Sequence, residues 1–456
     1  MNAFSINNNP KVESRIDFKK WIGALMVMLI TSMYFFPFIF NAFPSQNTKN
    51  LLGALGIVFI FMTFVYKRSF SLTQDILVLF LFGAAVSIVA YVSITYNQTP
   101  DYSYVTFIRS MAIWFSGAYV VGAMIWMVHR RIDVELVMHY LVAVCVFQCA
   151  MTMLIQFVPA VKTFVDAHIE QGQDLLDHLG RMYGIGASLD VAGSRFSAVL
   201  VGMAVIIEKN KDTWSRISLI LYILAFVVIT VIGNMIARTT LVGVAIGLAY
   251  LLIMVLRSMM HRESYRQGRM IGTWLIVIAL AIPLGITLYN TSKEFSEMMR
   301  FGFEGFFKFF ESGEFETDST AKLQSMIVWP EELRTWIIGD GYFENSRNDR
   351  NYLGNATVRG FYMGTDIGYL RFIFYFGVIG LIAISMVVVY SAIICIRNYP
   401  EYRNLFFLAA LINFIVWLKV STDILLFFYL FITATIVEQE FKDDEEEDTN
   451  LEELEE

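Results

Sequence analysis

The chain has 456 residues, 57% of them hydrophobic, 15% aromatic and only 16% charged, with a mean hydropathy of +0.57. Soluble domains carry roughly a quarter charged residues, so this composition excludes an ordinary soluble protein and points to a polytopic membrane protein. The net charge of −7 says little about the rest of the chain, because the run Asp443-Asp444-Glu445-Glu446-Glu447-Asp448 through Glu456 supplies much of it.

A spanning helix needs about 20 mostly apolar residues. Twelve candidate segments follow one another: about 20–40, 51–66, 76–96, 105–128, 134–158, 194–208, 216–234, 238–256, 270–289, 367–395, 404–419 and 423–438. The first follows a polar N-terminus and is long enough to span, so it does not read as a cleavable signal peptide. The expected fold is all-α, a polytopic membrane protein of about twelve transmembrane helices. Residues 1–289 hold helices one to nine and residues 367–438 hold ten to twelve. Residues 439–456, acidic and nearly free of aromatics, read as a disordered cytoplasmic tail.

Lysine and arginine in short loops set the orientation. One side carries Lys11, Arg15, Lys19 and Lys20, then Lys67-Arg68, Arg130-Arg131, Lys209, Lys211 and Arg216, Arg257 to Arg269, and Arg397 with Arg403. The short loops of the other side carry Lys49, then nothing in 97–104, then Lys419 at a helix edge. Both termini are therefore expected in the cytoplasm, and loops 159–193 and 290–366 on the far side.

The smaller far-side loop reads as an amphipathic helix over 165–179, closed by Gly180. A glycine-rich link then leads to Gly193-Ser194-Arg195-Phe196, with Arg195 where the sixth helix begins. Helices seven and eight meet in a tight hairpin, Ala237-Arg238-Thr239-Thr240, which holds Arg238 at the membrane face. The large loop, 290–366, is expected to be mostly helical. Residues 294–311 place Phe295, Met298, Met299, Phe303, Phe306, Phe307 and Phe310 on one stripe, as for a helix in the membrane interface. Asp318 opens a second helix to about Val328, and Pro330-Glu331-Glu332 opens a third. Gly339-Asp340-Gly341 reads as a turn, and residues 342–362 as polar and irregular.

Ionisable residues at a membrane face are expensive, so each is a candidate for function. Arg109, Arg195, Arg238 and Arg371 all fall near far-side boundaries. One such arginine more often snorkels to the interface, but four on one face suggest a pyrophosphate or polyanion site, since guanidinium forks bind phosphate in pairs of hydrogen bonds. The large loop has no histidine, which leaves carboxylates as bases: Asp340, Glu344, Asp349 and Asp366. Asp366, beside Arg371 at the start of the tenth helix, is best placed, and a plain N-cap is its alternative role. His168 and His178 read as solvated residues on a surface helix. Cys145, Cys149 and Cys395 lie in apolar runs and give neither a disulfide framework nor metal spacing. No nucleotide-binding or metal-binding motif is present, so neither a cofactor nor a catalytic metal is expected, and no nucleic-acid partner.

This layout resembles the O-antigen polymerase/ligase superfamily, membrane-embedded glycosyltransferases that use lipid-linked donors. The likeness rests on the twelve-helix plan, on Gly193-Ser194-Arg195-Phe196 and on Ala237-Arg238-Thr239-Thr240. It continues through Ile338-Gly339-Asp340-Gly341-Tyr342, Thr365-Asp366-Ile367-Gly368-Tyr369-Leu370 and Phe376-Gly377-Val378-Ile379-Gly380. The resemblance implies a multi-pass protein of the bacterial inner (plasma) membrane whose partners are an undecaprenyl-diphosphate-linked glycan and the lipid bilayer, with a chain-length regulator and a flippase as further partners. It implies a metal-independent polymerase joining repeat units of O-antigen or capsule. Arg195 and Arg238, with Arg300, Arg334 and Arg371, would hold the diphosphate, and Asp366 or Asp340 would serve the acceptor hydroxyl. The ligase branch usually has a histidine near an Asn-Tyr-Leu-like stretch; here Asp349 and Arg350 precede Asn351-Tyr352-Leu353, which favours the polymerase. Transfer of finished glycan to a lipid or protein acceptor, and transport of a lipid-linked glycan, remain as alternatives.

Overall fold

A computed structural model describes residues 18–67, 73–178, 180–260, 264–313, 317–345 and 360–455. The described part is all-α save for one two-stranded ribbon. In chain order the first elements are α1 (Phe18–Phe35), β1 (Ile39–Phe40), α2 (Thr48–Lys67), α3 (Gln74–Asn97), α4 (Phe107–His129) and α5 (Val134–Phe157). There follow α6 (Pro159–His168), β2 (Ile169–Glu170), α7 (Gln173–His178), α8 (Leu189–Asn210), α9 (Arg216–Ile236), α10 (Thr240–Met260) and α11 (Ser264–Thr291). The last are α12 (Lys293–Gly302), α13 (Glu304–Ser312), α14 (Asp318–Ser325), α15 (Leu333–Ile337), α16 (Gly368–Asn398), α17 (Arg403–Val416) and α18 (Leu425–Glu455).

Ten of the described helices, α1 to α5, α8 to α11 and α16, are long and apolar enough to cross a membrane. This makes the chain a multi-pass helical protein, and α16 is its tenth such helix, as the hydrophobic runs indicate. α17 has 14 residues, about 21 Å at 1.5 Å per residue, which is short of a hydrocarbon core of about 30 Å. α18 begins apolar and continues helical through the acidic run to Glu455, where composition alone suggested a disordered tail. Glutamate is a good helix former, so the run extends the helix it follows.

α8 is buried along nearly its whole length between α5, α9, α10 and α17. Small residues allow the close crossings. A Cβ on Gly243 of α10 would lie 2.2 Å from the Cα of Ser197 on α8, so only glycine permits that approach. α11 lies at the other extreme: Leu275, Leu280 and Leu284 are exposed on its surface, as suits contact with acyl chains. Residues 36–47, 98–106, 158–178, 180–188, 237–239, 292–313, 317–345, 360–367 and 417–424 gather at one end of the bundle, where β1 pairs antiparallel with β2.

The loops depart from the sequence reading in three places. The helix expected over 165–179 is interrupted by β2, because Phe40 and Ile39 take up Ile169 and Glu170 in the ribbon; Gly180 at φ +61° does close α7. The aromatic stripe over 294–311 bends at Phe303, so it forms two helices. Phe295 is buried while Phe310 on the second is 84% exposed. Pro330 does not open a helix; α15 begins at Leu333 with Glu332 as its N-cap. The stretch Asp349, Arg350, Asn351-Tyr352-Leu353 lies outside the described residues.

Candidate functional site: a cationic cluster around residues 417–424

The short connection between α17 and α18 is the hub of the loop-bearing end. Lys419 donates to Asp190 Oδ1 at 2.7 Å, and Thr239 donates to the same oxygen. Ser421 Oγ accepts from Arg371 Nη1 at 2.6 Å. Asp423 accepts from the backbone N–H of Leu425 at 3.0 Å and so caps α18. Burial pushes the Asp423 carboxyl up, and Arg195 and Lys49, close enough to act on its charge, oppose that shift. Trp417 NH donates to the Thr422 carbonyl at 2.8 Å, which closes the loop on itself. Lys419 and Ser421 thus bring α8, the residue before α10 and α16 to one place.

Arg195 lies deeper than its position in sequence suggests. α8 starts at Leu189, not at Ser194, so Arg195 sits six residues inside the helix and is 8% exposed. Its guanidinium carbon lies 5.8 and 5.9 Å from the rings of Phe35 and Phe36. Its Nε is buried and has no hydrogen-bond acceptor. Arg371, in the first turn of α16, is 6% exposed. The rings of Phe343 and Phe361 lie 3.6 and 3.3 Å from its guanidinium carbon and cover its two faces, since two rings cannot share one face at such distances. Nη1 is taken by Ser421, while Nε and Nη2 are buried without an acceptor. Buried donors are almost always paired, so these open guanidinium positions make Arg195 and Arg371 candidates for holding an anion. Lys49, on the first turn of α2, holds its ammonium 4.9 Å from the Trp114 ring centre.

The other predicted residues fall into different settings. Asp366 is partly buried and belongs to the cluster: burial pushes its carboxyl up, against the lowering effect of Arg371, Lys322 and Lys419. It does not cap α16, whose N-cap is Ile367 without a side-chain bond. Asp340 is already occupied. Thr335 donates to it at 2.6 Å, Tyr362 at 3.3 Å and Arg334 at 3.4 Å. Burial raises its pKa, and those partners oppose the shift. Its role is to fasten α15, and Arg334 spends its donors on Asn97 and Asp340 in the same joint. Arg300 is exposed and paired with Tyr289 and Glu311, apart from the cluster. Arg238 does sit at the hairpin tip, but it bonds Glu304 at 2.6 Å and the Phe301 carbonyl at 3.0 Å, with Phe301's ring beneath it. Together with Asn234, which donates to the Gly302 carbonyl, it ties α12 and α13 to the end of α9. Arg109 is exposed.

Two of the sequence motifs prove to be halves of one joint. α16 breaks at Phe376 and Gly377, where Gly377 adopts φ +69°. The freed carbonyls of Phe374 and Tyr375 accept from the N–H groups of Asp340 and Gly341 at 2.6 and 3.1 Å. A Cβ on Gly377 would lie 2.1 Å from the Ile337 carbonyl oxygen, so the joint demands glycine.

Sequence reasoning missed Lys49, Asp190, Lys419 and Asp423. Each is an ionisable residue at a predicted helix boundary, and the rule applied to the arginines would have found them had it been extended to lysine and aspartate. No metal-holding group of histidine, cysteine and carboxylate side chains occurs among the described residues. No family model, curated protein or solved structure matches the chain.

Proposed function

We propose that the chain is a glycosyltransferase of the inner membrane that polymerises undecaprenyl-diphosphate-linked repeat units on the periplasmic face, with both termini in the cytoplasm. One observation carries the reading: two arginines, Arg195 and Arg371, buried at one end of the bundle with donors that no protein group accepts. A diphosphate supplies what they lack. The sequence layout that resembles the O-antigen polymerase/ligase superfamily supports the same reading.

In this chemistry an acceptor hydroxyl attacks the anomeric carbon, the bond to the diphosphate oxygen breaks, and the electron pair leaves with the lipid diphosphate. Diphosphate leaves without a general acid, so fixed positive charge beside the departing oxygen is the main contribution the protein makes. Arg195, with Lys49 beside it, is positioned for that role. The acceptor proton goes to a carboxylate. Asp366 suits it better than Asp340, whose oxygens are engaged by Thr335, Tyr362 and Arg334. The test is reconstitution of the purified chain in vesicles with a lipid-linked repeat unit. Elongated glycan is the expected product; translocation of the unit without elongation would refute the reading in favour of transport.

A further inference from the structure

The loop-bearing end also displays a pair of indoles outside the cationic cluster. Trp329 is 61% exposed, and its ring stacks on that of Trp336 with centroids 6.0 Å and planes 14° apart. Trp336 is fixed in turn, because its indole N–H donates to the Pro330 carbonyl at 3.0 Å. Trp329 is thus a braced ring whose remaining surface stays open. The segment that carries it is anchored close to the arginines. α15 follows directly, and beyond it the Asp340 N–H donates to the Phe374 carbonyl at 2.6 Å, about one turn of α16 after Arg371. The setting is aqueous: Glu331 and Glu332, next along the chain, are exposed, and carboxylates are costly in hydrocarbon.

We propose that the open face of Trp329, braced by Trp336, is a stacking platform for a pyranose ring of the glycan, away from the sugar that reacts. The inference rests on the function proposed above and deepens it. A large aromatic face held rigid in water is the kind of anchor that recognition sites use, because little side-chain freedom remains to be lost on binding. A pyranose matches both parts of this surface. Its axial C–H bonds make an apolar face for the indole, and its hydroxyls donate to acceptors at the rim. Glu331 and Glu332 supply such acceptors, since an ionised carboxylate only accepts. The arginines are buried and Trp329 is exposed, so the two grip different parts of one substrate: the arginines its diphosphate, the indole a sugar further along the chain. Holding the glycan there keeps it near the site between successive additions.

The experiment is calorimetric titration of the full chain in lipid nanodiscs. The probe is the oligosaccharide that mild acid releases, free of lipid and diphosphate, from the lipid-linked repeat units of the parent cells. Saturable binding is expected, weakened about tenfold in Trp329→Ala and nearly retained in Trp329→Phe, which keeps an aromatic face. Parent-like affinity in Trp329→Ala would overturn the proposal, and so would a parent chain that does not bind the probe. Should Trp329→Ala fail to fold, Trp329→Gln takes its place with the same expected loss. A second measurement tests the bilayer as the occupant instead. The fluorescence that Trp329→Phe removes is expected to be quenched by acrylamide in the water and not by brominated acyl chains; quenching by the brominated chains would overturn the proposal. Probe binding that depends on Trp329, without elongation in vesicles, would leave the platform standing and remove the polymerase reading. Elongation with parent-like probe binding in Trp329→Ala would do the reverse.

Discussion

Asp366 and Asp340 are both carboxylates in the large loop, and both are raised by burial, yet their neighbours assign them different work. Asp340 has three donors, so it is a fastening; Asp366 has charges nearby and no hydrogen bond that fixes it. Since burial raises the folded pKa of Asp366, the folded state binds its proton more tightly than the unfolded chain does. The stability this contributes is present below the unfolded value, about 3.9 for an ordinary aspartate, and is lost as pH rises through the folded value. Asp366→Asn should therefore raise the melting temperature at pH 7 and leave it unchanged near pH 3.5, while abolishing elongation. Equal melting shifts at both pH values would show that the carboxyl's charge is not the cause. Arg195 and Arg371 stand out in the sequence because arginine at a membrane boundary is conspicuous; Asp423 and Lys49 do not, because the electrostatic coupling between them joins segments far apart in the chain.

At the scale of elements, the loop-bearing end is assembled by two fastenings. One is the joint at the break in α16; the other is the pair Arg238–Glu304, with side chains 13% and 14% exposed. Gly377→Ala places a Cβ against the Ile337 carbonyl at a positive φ, and should destabilise by more than about 1 kcal/mol. Limited proteolysis would report it as faster cleavage within 317–345; unchanged cleavage would mean that the joint does not hold this segment. Arg238→Ala and Glu304→Ala should be non-additive, with a coupling of about 0.5–3 kcal/mol in a double-mutant cycle. Additive effects would free Arg238 for a direct role with the ligand. Helix existence was legible throughout from hydrophobic runs, because each long run forms a helix where periodicity demands it. The breaks at Phe303 and Phe376 were not, since they are set by what docks on them: Gly302 against Asn234, and Gly339 against the freed carbonyls of α16.

For the molecule as a whole, hydrophobic length gave the all-α membrane plan and the tenth span, while the ends of the chain were harder to read. α17 is too short by itself, and α18 runs on into acidic sequence, so length and apolarity do not decide how the last two helices sit. Their connection nonetheless organises the end where the other loops meet. The region 417–424 bonds Asp190 of α8, Thr239 just before α10, and Tyr369 and Arg371 of α16, and so fastens separate helices at this end. The most direct measurement of the central claim is product length from the purified chain given lipid-linked repeat units. The account predicts a ladder of long products from the parent protein and only single repeat units from Arg195→Gln and Arg371→Gln, with all three proteins folded in the membrane. Parent-like ladders from a folded Arg195→Gln variant would contradict it.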